Sequence, residues 1–224
     1  MPEAPAKRPE IQAVAVIGAG AAGRGIAQAV ALGGYRTILE DLLPNALRRA
    51  QTEIRNNLDR SIAGGRVSRD HADAAFRRIE YAGSIEDAAR LADLVIEAVP
   101  DELDSKLEIF TLLDRICRPH TILALTATSL TVTDIAPITF RRDKCVGMRF
   151  AGAPLDDGTS LNDGAPLKPI FGLSGKQEEN PRIEVIRGRD TGDATLALVV
   201  AFARRLSTKV VVTDESGSPL PAGV

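Results

Sequence analysis

No apolar run in this 224-residue sequence approaches the roughly 20 residues that cross a bilayer. The stretch from Met1 to Glu10 mixes Pro, Ala and charge without an apolar centre, so it reads as a flexible tail rather than a secretory signal. Cysteine is scarce. Cys117 and Cys145 stand far apart with no second Cys or His at ligand spacing, which fits a reduced cytosolic protein better than a disulfide scaffold or a zinc site. Net charge is only −2, so nothing in the total points to nucleic acid or an anionic membrane surface. With those partners set aside, a cytoplasmic protein acting on small molecules is the default.

What is present is ordinary for a globular chain, with 44% apolar and 26% charged residues. The length allows one sizeable core and is too short for two full domains. Ala13 to Ile17 is a short apolar run that opens onto glycines, as a buried parallel strand does. A helix is expected from Ala21 to about Leu32, ended by Gly33-Gly34, and a strand from Arg36 to Glu40 with Asp41 after it. Pro44 suits the first turn of a long helix to about Ile62. Ser68 caps a helix to about Arg78, and Ser84 with Asp87 caps another after a strand at Ile79 to Ala82. Further strands are expected at Asp93 to Val99, Thr121 to Leu125, Val146 to Phe150, Glu184 to Ile186 and Lys209 to Val212. Helices are expected over Leu103 to Ile116 and, capped by Thr191, through Leu206. This alternation predicts an α/β fold of Rossmann type, a doubly wound, largely parallel sheet with helices on both faces. The domain is drawn over 11–215, with a long Gly/Asp/Pro-rich loop from Gly152 to Asn180 and a tail from Ser216 to Val224.

The loop Gly18-Ala19-Gly20-Ala21-Ala22-Gly23 follows a strand and precedes a helix, the setting in which three glycines at this spacing carry meaning. Gly18 permits the tight turn, Gly20 lets the backbone approach a pyrophosphate, and Gly23 lets helix and strand pack closely. The helix start at Ala21 and Ala22 offers free N–H groups to phosphate. Asp41 stands where a carboxylate accepts the adenosine ribose hydroxyls and repels a 2′-phosphate. Leu42 and Leu43 supply no cation, so the expected cofactor is NAD rather than NADP. The plainer alternative is a glycine-rich turn with a solvated Asp.

Val14-Ala15-Val16-Ile17-Gly18-Ala19-Gly20, then Gly23-Arg24-Gly25-Ile26-Ala27-Gln28, resembles the N-terminal domain of the 3-hydroxyacyl-CoA dehydrogenases. Ala92-Asp93-Leu94-Val95-Ile96-Glu97-Ala98-Val99-Pro100 with Lys106, and later Ile183 to Gly188, are similar to that family's next signatures. The resemblance implies NAD as cofactor, a 3-hydroxyacyl-CoA or similar hydroxy acid as substrate, and a step of fatty-acid metabolism. It further implies that Ala98 and Val99 line the cofactor groove and that Lys106 lies near the nicotinamide ribose or substrate. The plainer alternatives are a strand end and a solvated helix cation.

The same resemblance exposes departures. The family's general base is a His, followed by Phe after a Gly-Met-like pair and oriented by a Glu on the next strand. Here the text reads Gly147-Met148-Arg149-Phe150, and an arginine does not release its proton near neutral pH. Glu184 keeps the orienting position, so an Arg149–Glu184 ion pair is expected. Thr128 retains a hydroxyl where the family places a substrate-binding Ser, although the plainer reading of Thr128 and Ser129 is capping of a helix before Leu130. His71 and His120 read as surface residues. Asp156, Asp157, Asp163 and Lys168 are the remaining loop acids and base, and a flexible polar loop accounts for them. The chain stops near the point where the family's helical C-terminal domain begins, which implies a homo-oligomer or a partner chain. Three functions stay open: an oxidoreductase of this family, a non-catalytic NAD-binding sensor or interaction protein, and a dehydrogenase acting on a different small substrate with the long loop in place of the missing domain.

Overall fold

Five consecutive apolar residues survive burial on both faces only in the middle of a covered parallel sheet, and Ala13–Ile17 (β1) occupies that place, buried throughout. The computed structural model describes residues 10–126, 130–151, 182–207 and 209–220. The expected tail at 1–9, the loop at 152–181, and Thr128 and Ser129 lie outside them.

From β1 the chain runs through α1 (Ala21–Leu32), β2 (Arg36–Glu40), α2 (Pro44–Ala63), α3 (Arg69–Arg77) and β3 (Ile79–Ala82). It then forms α4 (Ile85–Ala89), β4 (Leu94–Glu97), α5 (Leu103–Ile116), β5 (Ile122–Leu125) and α6 (Val132–Ile135). β6 (Cys145–Ala151), β7 (Arg182–Arg187), α7 (Asp193–Leu206) and β8 (Lys209–Asp214) complete it. The eight strands form one sheet in the order β3-β2-β1-β4-β5-β6-β7-β8. Every neighbouring pair is parallel except β6 and β7. The Rossmann-type, largely parallel sheet expected from the sequence is therefore the one found.

Each face of the sheet carries its own core. Ile26, Val30, Ile54, Leu58, Ala75 and Val199 bring α1, α2, α3 and α7 to one face. Ala88, Phe110, Leu113 and Ile135 bring α4, α5 and α6 to the other. The order of strands reverses between β1 and β4, so a crevice opens there at their C-terminal ends, where open α/β sheets bind ligands.

Local signals behave as their chemistry requires. Pro44 begins α2, Ser68 accepts from the His71 amide at α3, and Ser84 accepts from the Asp87 amide at α4. Three expectations change. Thr191 does not cap α7, whose N-cap is Gly192. The buried Thr191 hydroxyl instead donates to the Cys145 carbonyl (2.6 Å) and accepts from the Gly188 amide (2.9 Å), tying β6 to the turn after β7. The helix expected from Leu130 begins at Val132, because Thr131 and Asp134 form a reciprocal capping box there. The tail drawn from Ser216 folds back onto the sheet edge through 220, where the Leu220 amide donates to the Val212 carbonyl.

α7 reaches back to the first half of the domain through Phe202, which is 2% exposed and packs on Tyr35 with ring centroids 4.9 Å apart. Phe202→Ala is expected to cost about 3–5 kcal/mol of stability by opening a cavity at this junction. Urea denaturation measures it, and a loss below about 1 kcal/mol would show that the junction does not hold the halves together.

Candidate dinucleotide and substrate site

The glycine loop is built by close approach. Gly18 sits at φ 100°, a conformation that L side chains rarely adopt. A Cβ on Gly23 would stand 1.8 Å from the Gly18 carbonyl oxygen, so only glycine lets α1 lie this close to β1. Around Gly20, by contrast, a Cβ would meet nothing within 4 Å. That open space lies directly before α1, whose N-terminus has no side-chain cap and no acidic residue in its first turn. The helix end at Ala21 and Ala22 thus presents N–H groups and the positive end of the helix dipole to a clear approach. These are the features a dinucleotide diphosphate requires, and the loop fits one.

The neighbouring strands end around this loop. Asp41 accepts the Ala19 amide on one carboxylate oxygen and the Leu43 amide on the other, both at 2.9 Å. Each oxygen has a second lone pair, so acceptor capacity remains for ribose hydroxyls. Ala98 donates to the Ile17 carbonyl, and its own carbonyl lies 3.0 Å from where a Gly18 Cβ would be. Ala98 and Val99 therefore lie directly beside the glycine loop. Leu42 and Leu43 stay largely exposed beside Asp41.

For Lys106 the structure removes the plainer alternative. It is not a solvated cation on α5, being 1% exposed. Its ammonium lies 2.7 Å from both oxygens of Glu97, which is 0% exposed. Glu97 also accepts the Val99 amide at 2.7 Å. Burial pushes the Glu97 carboxyl above its ordinary range, while the Lys106 ammonium and the Val99 amide pull it back. The pair therefore braces the β4–α5 turn from beneath. Glu97 escaped the sequence reading, although an acid ending an apolar strand, with Lys106 nine residues on, was the available signal. Glu40 escaped it too. It is 2% exposed at the end of β2, and one of its oxygens has no partner among the described residues.

The second half of the site lies beyond β5. Arg149 of β6 and Glu184 of β7 are register partners across the antiparallel pair, and their side chains meet at 2.7 Å. Thr213 of β8 donates to the other Glu184 oxygen at 2.9 Å. The expected ion pair is formed. It borders a cavity of about 260 Å³ lined also by Leu125, Thr131, Gly147 and Asp214. His71 bonds the Leu32 carbonyl at the end of α1, and His120 meets Asp93 just before β4. Both are exposed and remote from the C-terminal crevice. The thiols of Cys117 and Cys145 are buried, which pushes each up to about 11 and leaves neither a nucleophile. Asp156, Asp157, Asp163 and Lys168 lie outside the described residues, as does Thr128.

Fold and groove together define a dinucleotide-binding Rossmann domain. Residues 13–155 match the family model described as 3-hydroxyacyl-CoA dehydrogenase, NAD binding domain. A probable 3-hydroxybutyryl-CoA dehydrogenase of Bacillus subtilis is 34% identical over 209 residues, 93% of this chain and 64% of that one. The 3-hydroxybutyryl-CoA dehydrogenase of Clostridioides difficile is 33% identical over 203 residues, 91% of this chain and 64% of that one. The crystal structure of (S)-3-hydroxybutyryl-CoA dehydrogenase from Ralstonia eutropha superposes with a TM-score of 0.76 at 28% identity. It covers 93% of this chain and 65% of that one. The chain belongs to the 3-hydroxyacyl-CoA dehydrogenase family, whose cofactor is NAD, and corresponds to its NAD-binding domain. It spans less than two thirds of the length of these relatives.

Lys106→Met should cost about 3–5 kcal/mol, because it strands the Glu97 charge without its cation. Glu97→Gln combined with Lys106→Met should recover most of that loss, since the Gln carbonyl still accepts the Val99 amide. Urea titration of both variants checks the order, and a double variant as unstable as the single would refute it.

Proposed function

We propose that this chain binds NAD at the glycine loop and does not oxidise 3-hydroxyacyl-CoA by the proton transfer that its family uses. The supporting observation is the Arg149–Glu184 ion pair at the position of the family's base and its orienting carboxylate. NAD supplies a hydride acceptor when bound. The substrate hydroxyl must then surrender its proton to a nearby base, and a guanidinium held by a carboxylate has no lone pair free to take it. Glu184 is engaged by Arg149 and Thr213, so it does not replace the missing base. At the other end of the crevice, Gly18, Gly20 and Gly23 shape the diphosphate cradle. Ala21 and Ala22 present the helix N–H groups, and Asp41 receives the ribose. On this reading the protein is an NAD-binding sensor or interaction module.

One observation favours a second reading, an oxidoreductase for a different small hydroxy acid. About a third of the Arg149 side chain stays exposed at the cavity, where it offers a cation to a substrate carboxylate.

Calorimetric titration with NADH, followed by an assay of acetoacetyl-CoA reduction, separates these readings. Micromolar NADH binding that disappears in Asp41→Ala is expected, together with no reduction of acetoacetyl-CoA. Arg149→His should leave NADH affinity unchanged within about threefold, because the pair lies outside the glycine loop. Steady turnover of acetoacetyl-CoA by the unaltered protein would overturn the main reading. NADH oxidation by a 2- or 3-keto acid that is lost in Arg149→Met would establish the second.

A further inference from the structure

Two carboxylates flank β1 beneath the glycine loop. Ile17 is in register with Glu40 of β2 on one side and with Glu97 of β4 on the other. Both acids are shut from solvent, and only one has a cation. Glu97 holds Lys106, whereas Glu40 has a buried oxygen with no hydrogen-bond partner among the described residues.

Among the described residues, the surroundings of Glu40 offer it no positive charge. The charge that acts on it is that of Asp41, the next residue in the chain. β1 contributes the apolar Ile17 and the amide of Gly18. α4, which packs on β2, turns Ala88 and Ala89 inward and leaves Glu86 and Asp87 exposed. On β3 the register partner is Ala82. Glu80 is taken up by Arg36 at an exposed position, and Tyr81 packs with the core of the opposite face. Beyond Ile17 the Glu97–Lys106 pair is neutral as a unit. Ionising Glu40 therefore puts a second, uncompensated negative charge beside Asp41, under the loop that an anionic diphosphate must approach.

We propose that Glu40 is the proton-binding residue of the cofactor groove: the dinucleotide binds tightly while Glu40 carries a proton and weakly once it is lost. This rests on the reading of the groove as an NAD site. Burial, with the charge of Asp41 adding to it and the Gly18 amide opposing, pushes the Glu40 carboxyl up to about 7. The transition accordingly falls in the neutral range rather than in acid. The sign follows from linkage. The folded chain keeps this proton up to about pH 7, whereas the unfolded chain releases it in the ordinary carboxylate range. Stability contributed by the proton is thus full at acid pH and is lost as pH rises toward and through 7. An anionic ligand raises proton affinity further, so binding near neutrality takes up a proton.

The test is NADH affinity by calorimetry at about pH 6 and about pH 8.5, for the unaltered protein and for Glu40→Gln. The unaltered protein should lose about tenfold in affinity across that range, while Glu40→Gln should vary by no more than about twofold. His71 and His120 are present in both proteins, so the comparison cancels them. Titrations near pH 7 in buffers of different ionisation enthalpy should report proton uptake in the unaltered protein and none in the variant. Equal affinity at the two pH values, or an equal loss in the variant, would overturn the proposal while leaving the NAD site standing. No NADH binding at either pH would overturn the NAD reading and this inference with it. The ligand-free protein supplies a separate readout. Its stability in urea should fall relative to Glu40→Gln as pH rises from about 5.5 to about 8, and parallel curves would also overturn the proposal.

Discussion

Helix α1 lies against β1 only because residue 23 has no side chain: a Cβ there would overlap the Gly18 carbonyl oxygen. The rest of the groove follows from that contact. With α1 held so close, its N-terminal N–H groups lie just beyond the C-terminal end of β1. The turn that reaches them must pass through a positive φ at Gly18. The ends of β2 and β4 are then keyed to the same turn. The Gly18 amide donates to the Glu40 carbonyl, the Ala19 amide to Asp41, and the Ala98 amide to the Ile17 carbonyl. A small set of contacts thereby fixes the glycine loop, Asp41 and the end of β4 relative to one another.

This economy has an electrostatic consequence. The same strand ends carry two buried acids, and removing a charge from water costs several kcal/mol unless a partner offsets it. Glu97 is offset by Lys106 and by the Val99 amide, and the brace it forms holds the turn that walls the groove. Glu40 has no such partner and relieves the cost by keeping its proton to higher pH. Perturbed groups of this kind gather where a site needs them more than stability does. Both acids stand at the C-terminal crevice of the sheet, where the fold binds its ligand.

Most of the fold was legible because period and punctuation agreed. Ala13–Ile17, Ala21–Leu32, Arg36–Glu40 and Leu103–Ile116 have the limits that apolar runs, Gly33-Gly34 and flanking polar residues set. The glycine loop was legible for the same reason, since Gly18 and Gly23 each answer a distinct steric demand. What stayed hidden depended on tertiary partners. Thr191 has the chemistry of a cap, but the Cys145 carbonyl and Gly188 amide claim its hydroxyl. Lys106 reads as a surface cation on an amphipathic helix until β4 places Glu97 beneath it. Glu40 reads as the polar end of a strand, and only the packing of α4 on the sheet shows that it is enclosed. Single-residue chemistry is visible in sequence, whereas the pairing that decides a charge's role is not.

The two ends of the crevice differ in what they are made of. The cofactor end is mainly backbone: glycine carbonyls, loop amides and a helix terminus, supported by Asp41. Such a site tolerates replacement of distant side chains, because its donors belong to the fold. Proton transfer, in contrast, hangs on the protonation chemistry of one side chain. Arg149 sits in β6 without disturbing the sheet, since its guanidinium reaches the register partner Glu184 at 2.7 Å. The pair also bridges β6 and β7, the one junction where strand direction reverses. There the two side chains are half-buried and largely buried rather than fully desolvated. An Arg–Glu contact in such a place serves register and orientation at modest energetic cost. The place on β6 is therefore structurally content with a residue that is chemically unable to act as a base.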